Sequence, residues 1–359
     1  MRLRELRLEN LRAFPRLELA LDPGWNVFVG PNGAGKTTLL EAAYLLSHAR
    51  SFRGGAKDAL VRRGAAGFSV YGHVEPAVGG GGGVALSRGS GTFEARIGGA
   101  AVPLADLLRR TAVACFEPGS HELISGPAEE RRRFLDWGVF HVEHDFLGVW
   151  RTFQRTLKQR NALLRSGGAA SELDPWDREL ARSGAALVSM RDRYAAAFAP
   201  LVATTLAGLL PELGASRLTL ERGWKTEADA IEQLSACRDE DQRRGFTTRG
   251  PHRADWSIAF DEAPRREHLS RGQEKLCALG CIMGQAQLFA AEHGEWPVVC
   301  IDDLASELDS PHQEKLARVL QSADAQILVT GTHEPEALRA VGVAAARFHV
   351  EPGQVTRLL

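Results

Sequence analysis

The chain has 359 residues, 44% of them hydrophobic and 25% charged, with a formal net charge of −1. Such a composition is that of an ordinary soluble globular protein with room for a large core and about two structural units. It excludes a membrane-spanning chain, since no run of about 18 apolar residues occurs, and any nucleic-acid binding must come from a local patch.

Met1-Arg2-Leu3-Arg4-Glu5-Leu6-Arg7-Leu8 alternates apolar and charged residues as a strand does and is not a signal peptide. Residues 1–29 read as strand, turn, strand, with Leu3, Leu6 and Leu8, then Leu17, Leu19 and Leu21, as the buried positions. Trp25-Asn26-Val27-Phe28-Val29 is an apolar strand that runs into Gly30-Pro31-Asn32-Gly33-Ala34-Gly35-Lys36-Thr37. This segment fits the phosphate-binding pattern G-x-x-x-x-G-K-[ST]. Its glycines let backbone N–H groups turn inward around a triphosphate. Lys36 supplies a point charge to the β- and γ-phosphates, and the Thr37 hydroxyl is placed to ligate Mg2+. Residues 38–46, starting at Thr38, read as a helix whose positive N-terminus faces those phosphates. ATP and Mg2+ are the expected cofactors.

A loop over 49–55 follows, then short alternating segments over 68–97 that predict an antiparallel sheet. Residues 79–83, all glycine, read as a flexible hairpin tip in it. Val113-Ala114-Cys115-Phe116 is another apolar strand. After Pro118 helix dominates up to about Pro211. There Phe146, Trp150, Phe153, Leu157 and Leu164 recur at helical spacing, with Arg151, Arg155, Lys158 and Arg165 on the other side. Over 131–165 eight Lys or Arg stand against three acids, a local excess of +5. Phosphate contacts or a solvated helix face explain those charges equally well. Leu180, Leu187, Met190, Tyr194 and Leu201 mark a second long helix, and a loop from Gly167-Gly168 to Pro175 would make the two an antiparallel hairpin.

Sheet-like material returns near 216–220 and over 253–260. The rest alternates: a helix over 270–292, a strand over 298–301, a helix near 311–321, a strand over 327–329 and a closing strand pair ending at 355–358. A helical arm is therefore expected to be inserted in one α/β head built from both ends of the chain, with boundaries 1–118, 119–245 and 246–359. The five cysteines, Cys115, Cys237, Cys277, Cys281 and Cys300, are scattered in apolar surroundings, as reduced thiols in a cytosol would be. Cys277 and Cys281 share a helical face, but no His or second Cys pair joins them into a metal site.

Three stretches carry the remaining chemistry. Val298-Val299-Cys300-Ile301-Asp302-Asp303 is an apolar strand ending in two carboxylates, expected to lie beside the phosphate loop. Asp302 is assigned to the metal and Asp303 to activation of the attacking water, with Lys36 as the catalytic cation. Leu269-Ser270-Arg271-Gly272-Gln273-Glu274-Lys275 opens the preceding helix; Ser270 can cap it, with Glu274 in support. Gly272 is not needed for a cap and costs about 1 kcal/mol in a helix relative to Ala, which makes sense where something must approach the backbone. Ser306-Glu307-Leu308-Asp309 follows the two acids.

Phosphate loop, L-S-x-G-Q signature, Asp-Asp strand and a D-loop ending in Asp309 together resemble the ATP-binding cassette superfamily. The resemblance implies a P-loop NTPase head with an antiparallel β subdomain and an inserted helical arm. It also implies that Ser270, Gly272 and Gln273 of one molecule close over the nucleotide of another in a head-to-tail homodimer. Further stretches are similar to the RecF family of bacterial recombination mediators: Leu8-Glu9-Asn10-Leu11-Arg12, Leu40-Glu41, Arg50-Ser51-Phe52-Arg53, Gly126-Pro127, Arg131-Arg132-Arg133-Phe134-Leu135-Asp136, Lys158-Gln159-Arg160-Asn161-Ala162-Leu163-Leu164 and Gly250-Pro251-His252-Arg253. The family resemblance implies a slow, cytoplasmic ATPase that dimerises on ATP, binds DNA at single-strand gaps and promotes RecA loading with RecO and RecR. Two positions depart from the superfamily pattern. Glu117 stands where a glutamine is usual, and His333 is displaced from the end of the strand that normally carries a switch histidine. The competing readings are a transporter nucleotide-binding subunit, which would show a coupling surface for membrane helices, and a small-molecule phosphate-loop kinase, which would need neither signature nor dimer.

Overall fold

A computed structural model of the chain describes residues 1–54, 57–89, 91–224 and 229–358; Gly55, the end of the loop expected over 49–55, lies outside them. The chain divides into two compact units, Met1–Ser120 with Cys281–Leu359, and His121–Gly280.

In the first unit, β1 (Arg2–Leu11) and β2 (Phe14–Ala20) form a hairpin in which Leu6 faces Leu19 and Leu8 faces Leu17. Alternation puts these leucines on one buried face. Leu3 breaks the alternation, and a register shift between Leu3 and Glu5 on pairing with β4 returns it to the same face. β3 (Trp25–Val29) and α1 (Lys36–His48) follow, then β4 (Phe68–Glu75), β5 (Gly82–Arg88), β6 (Phe93–Ile97) and β7 (Ala100–Val102). They complete an antiparallel sheet of order β2-β1-β4-β5-β6-β7. The glycine run is not all hairpin tip: Gly82 and Gly83 belong to β5. A Cβ on Gly83 would lie 2.7 Å from the Tyr71 ring, so the glycine admits the aromatic. α2 (Leu104–Arg110) and β8 (Val113–Phe116) close this portion.

The second unit is α3 (Glu122–Ser125), α4 (Ala128–Val142), α5 (Phe146–Ser166), α6 (Ala170–Leu209), β9 (Ser216–Glu221), α7 (Ala230–Ala236), α8 (Arg238–Arg244) and β10 (Asp255–Phe260). The α5–α6 connection is shorter than the sequence suggested. α6 begins at Ala170 and carries Pro175 inside it, because burial of Leu173, Asp177 and Leu180 outweighs one lost backbone bond. Along α6 the buried row runs Leu180, Leu187, Tyr194 and then drifts to Phe198, Val202 and Leu206, leaving Leu201 half-exposed. That is the drift of a 3.6-residue helix against a seven-residue step. Residues beyond 245 stay with this unit because β10 pairs with β9, and Trp256 packs on Phe134 and Phe198.

Three buried arginines brace the second unit. Arg131 makes a two-pronged pair with Asp255 (2.7 and 2.9 Å), and Arg191 one with Asp136 (2.8 Å for each prong). Arg160, fully buried on the apolar face of α5, bonds Asp177 at 2.6 Å, Asp241 at 2.7 Å and Thr247 at 2.8 Å. The expected +5 patch is therefore smaller than its residue count. Arg131 and Arg160 are interior, and Arg133 pairs with Glu129 and Glu130.

α9 (Arg271–His293) carries the chain back to the first unit, where β11 (Val298–Ile301), α10 (Leu304–Glu307), α11 (Ser310–Ser322), β12 (Ile327–Gly331), α12 (Glu336–Ala340), β13 (Ala345–Glu351) and β14 (Gln354–Leu358) complete the fold. Their sheet has the order β14-β13-β3-β12-β11-β8; β13, β3, β12, β11 and β8 run parallel, and β14 is antiparallel on β13. In this order β12 lies between β3 and β11. Strands buried on both faces read as unbroken apolar runs, which is why 298–301 and 327–329 were legible. No helix among the described residues is long and apolar enough to cross a membrane.

Candidate functional site

The parallel strands end on one edge of their sheet, the edge where open α/β sheets place ligands. β3 leads there into the phosphate loop. Gly30 is obligatory because a Cβ would stand 2.1 Å from the Val350 carbonyl oxygen of β13. Gly35 has φ +105, and a Cβ on it would meet the Phe14 ring at 2.8 Å. Pro31, Asn32 and Gly33 are exposed, and Ala34 is buried beneath them. α1 begins at Lys36 with no side-chain cap on its first turn, so its N-terminal N–H groups and dipole are open to an anion. Thr38 is buried in that turn, its N–H bonded to the Gly35 carbonyl at 2.9 Å.

The charged side chains meet at this loop. Lys36 folds back on it, its Nζ donating to the carbonyls of Gly30 (2.8 Å) and Pro31 (3.0 Å). Burial lowers its pKa, opposed by the nearby carboxylates of Asp303 and Asp302. Thr37 Oγ1 donates to Asp302 Oδ1 at 3.0 Å, and Thr330 Oγ1 of β12 donates to the same oxygen at 2.6 Å. Burial raises the Asp302 pKa against the pull of these two hydroxyls. Asp303 takes a left-handed turn (φ 52, ψ 48) at the start of α10, and its backbone N–H bonds Thr330 Oγ1 at 2.8 Å. Its Oδ1 is buried with no hydrogen-bond partner among the described residues. A buried carboxylate oxygen without a donor marks a place for a water or an ion.

Mg2+ takes octahedral oxygen ligands, with one or two carboxylates and substrate phosphates supplying part of the shell. No group of three or more His, Cys, Asp or Glu among the described residues could hold a metal unaided. Thr37 and Asp302 fit an ion that shares its shell with a triphosphate, and the open oxygen of Asp303 fits a water beside it.

Three of the family-like stretches converge on one buried carboxylate. Arg12 grips Glu41 with both prongs (2.5 and 2.6 Å), and the Ser51 hydroxyl donates to the same group. Beside them Tyr44 stacks on His48 and meets the edge of Phe52. Glu117 follows β8, whose Phe116 carbonyl accepts the Asp302 N–H at 2.9 Å, and its own carboxylate accepts the Gly119 N–H at 2.7 Å. His333 is exposed beyond β12, its ring against the Thr332 hydroxyl at 3.1 Å.

Ser270, Gly272 and Gln273 belong to the second unit and form a group of their own. Ser270 caps α9, but its reciprocal partner is Gln273 and not Glu274. The Ser270 N–H bonds Gln273 Oε1 at 3.0 Å, and the Gln273 N–H bonds Ser270 Oγ at 3.3 Å. The helix starts at Arg271, which makes Gln273 its third residue and the reciprocal member of the box. Ser270, Arg271 and Gly272 are exposed, and a Cβ on Gly272 would meet only Ser270 Oγ, at 4.0 Å. Nothing among the described residues requires that glycine. His252 and Arg253 are occupied in the second unit. His252 Nε2 donates to the Thr247 carbonyl at 2.9 Å, and burial pushes its pKa down to about 4; Arg253 lies over the Phe246 ring. Sequence reading missed Thr330 altogether, although a polar residue closing the apolar run 327–329 was its visible sign.

The chain is similar to known proteins over nearly its whole length. The model of the RecF/RecN/SMC N terminal domain matches residues 2–354. The DNA replication and repair protein RecF of Xanthomonas axonopodis pv. citri (strain 306) is 46% identical over 360 residues, 98% of this chain and 97% of that protein. RecF of Stenotrophomonas maltophilia (strain R551-3) is 45% identical over 99% of each. A solved structure of the recombination mediator protein RecF-ATPrS in the RecFOR pathway superposes with a TM-score of 0.87 at 25% identity, covering 99% of this chain and 98% of the other. The fold is accordingly that of an ATP-binding-cassette-type head, and the chain belongs to the RecF family.

Proposed function

We propose that the chain is an ATP-dependent, DNA-binding recombination mediator whose ATP works as a latch between two copies. The observation that carries this reading is the joining of Thr37, Asp302, Thr330 and Asp303 at the phosphate loop, with one Asp303 oxygen left open. The loop residues 30–38 hold the triphosphate by backbone N–H groups, Pro31 excepted because it has none. Lys36 exchanges its two carbonyl partners for phosphate oxygens. Thr37 and Asp302 would hold Mg2+, which supplies charge neutralisation on the β- and γ-phosphates. Asp303 accepts the proton of a water aligned with the γ-phosphate, through the oxygen that has no donor here. Ser270, Gly272 and Gln273 act on the nucleotide of a second copy; the exposure of Ser270 and Gly272 and the unexplained glycine support that role. Hydrolysis is then slow, because each site waits for a partner, and serves to release the dimer.

DNA is the proposed macromolecular ligand, at single-strand gaps and with RecO and RecR as partners in RecA loading, in keeping with the RecFOR pathway of the similar solved protein. Arg151, Arg155, Lys158 and Arg165 form an exposed stripe along α5 with no ion pair among the described residues, a suitable footprint for phosphates. No described feature favours the transporter or kinase readings. The test is the molecular mass in solution with and without ATP. The wild type forms dimers only with ATP, and Ser270→Arg binds nucleotide yet stays monomeric. A wild type that remains monomeric with ATP and ignores DNA would refute the proposal.

A further inference from the structure

Thr330 is the fourth residue of β12, the strand between β3 and β11, and it is fully buried. A hydroxyl has one proton to give, and here it goes to Asp302 Oδ1 at 2.6 Å. Thr330 Oγ1 in turn accepts the Asp303 N–H at 2.8 Å. The result is a chain of fixed polarity, Asp303 N–H to Thr330 Oγ1–H to Asp302 Oδ1, that ties both acids of the site to a neighbouring strand. Valine has the same shape and suits a buried strand as well, so the strand itself does not call for the hydroxyl. The two acids do. Asp303 sits in the left-handed region, which a non-glycine residue holds only where its surroundings fix it, and the bond from its N–H to Thr330 is one such restraint. Asp302 Oδ1 receives two hydroxyls, from Thr37 and Thr330. When Thr37 turns toward an ion, the bond to Thr330 remains to keep the carboxylate aimed.

We propose that Thr330 is a positioning residue for ATP hydrolysis: it sets Asp302 and Asp303 relative to one another and acts through them, without touching the nucleotide. The inference rests on the proposed ATPase reading of the site, so binding and turnover are measured separately.

The experiment compares Thr330→Val and Thr330→Ser with the wild type. It measures ATP affinity, ATP-dependent mass, kcat and KM, and the Mg2+ concentration for half-maximal rate. Thr330→Val lowers kcat roughly ten- to hundredfold, as expected for a lost hydrogen bond to a charged group, and raises the Mg2+ requirement. ATP affinity stays within about threefold of the wild type, the mark of an interaction made in the transition state. Thr330→Ser, which keeps the hydroxyl, recovers kcat to within about threefold. Should the valine variant fail to fold, Thr330→Cys, a weak donor of similar volume, replaces it with the same expectations. A valine or cysteine variant with wild-type kcat and Mg2+ dependence overturns the proposal, as does a serine variant no better than valine. A wild type that does not bind ATP overturns the ATPase reading, and this inference with it.

Discussion

Buried charge is treated in opposite ways in the second unit and at the phosphate loop of the first, although the first unit also holds the matched pair of Arg12 and Glu41. In the second, each interior arginine is matched: Arg131 to Asp255, Arg191 to Asp136, Arg160 to Asp177 and Asp241. At the phosphate loop of the first, Asp302 and Asp303 stand together with hydroxyls, backbone and Lys36 for company; the Arg53 charge also acts on Asp302, but among the described residues no arginine forms an ion pair with either. Matched charges brace a fold, since losing one partner strands the other in a poor solvent. Unmatched charges are held at a cost because something absent from the free chain needs them. An arginine in a family-like stretch is thus no evidence of DNA contact until its partners are known, and Arg131 and Arg160 show why.

The largest test of the contrast is Asp303→Asn. It lowers ATP turnover roughly 100- to 10,000-fold, the span of general-base removal, while thermal unfolding shows no loss of stability. An unfolded or fully active variant would erase the distinction. Arg160→Leu does the reverse. Asp241 is left without a cation among the described residues, while Asp177 keeps Arg238; breaking the buried pair costs about 3–5 kcal/mol, read as a lower urea midpoint, while the ATP affinity of folded protein is retained.

Acid sharpens the comparison further. His252 titrates at about 4 in the fold against 6.5 in the unfolded chain, because burial disfavours the imidazolium. The unfolded state therefore binds the extra proton first, and stability falls as pH drops from 6.5 to about 4. His252→Gln removes up to about 3 kcal/mol of that pH dependence, taking 1.4 kcal/mol per pKa unit; urea unfolding at several pH values measures it. The smallest effect on stability belongs to the α5 stripe. Arg155→Ala with Lys158→Ala changes it by less than about 0.5 kcal/mol. If DNA binds there, the slope of log affinity against log salt falls by about two. An unchanged slope would class the stripe as solvated surface.

What the sequence revealed followed from how local the signal was. The phosphate loop, its flanking strand and helix, and the two acids after β11 are each written in a few consecutive residues. Their burial follows from simple periodicity, as Leu6, Leu8, Leu17 and Leu19 show. What it hid depends on pairing across hundreds of residues. That β12 intervenes between β3 and β11, and that Thr330 thereby reaches both acids, is a matter of strand order. Arg160 looked like one more charge on a basic helix because Asp241 and Thr247 reach it from a distant part of the sequence. The Gln273 cap was missed by one position, since capping depends on where the helix starts, and helix ends are the least certain boundary to read.

The loop strand also carries a consequence for synthesis. β3 has β12 on one side and β13 on the other, and both are made about 300 residues after it. Gly30 itself rests against the backbone of Val350. A nascent chain that has emerged through the helical region therefore holds the complete phosphate-loop motif without the walls that shape it. Nucleotide capture must wait for the distant strands to arrive, and a ribosome stalled before residue 345 would display the motif without its pocket. The helical unit, by contrast, has all its strands and brackets within its own stretch of chain and is free to fold while the remainder is still being translated.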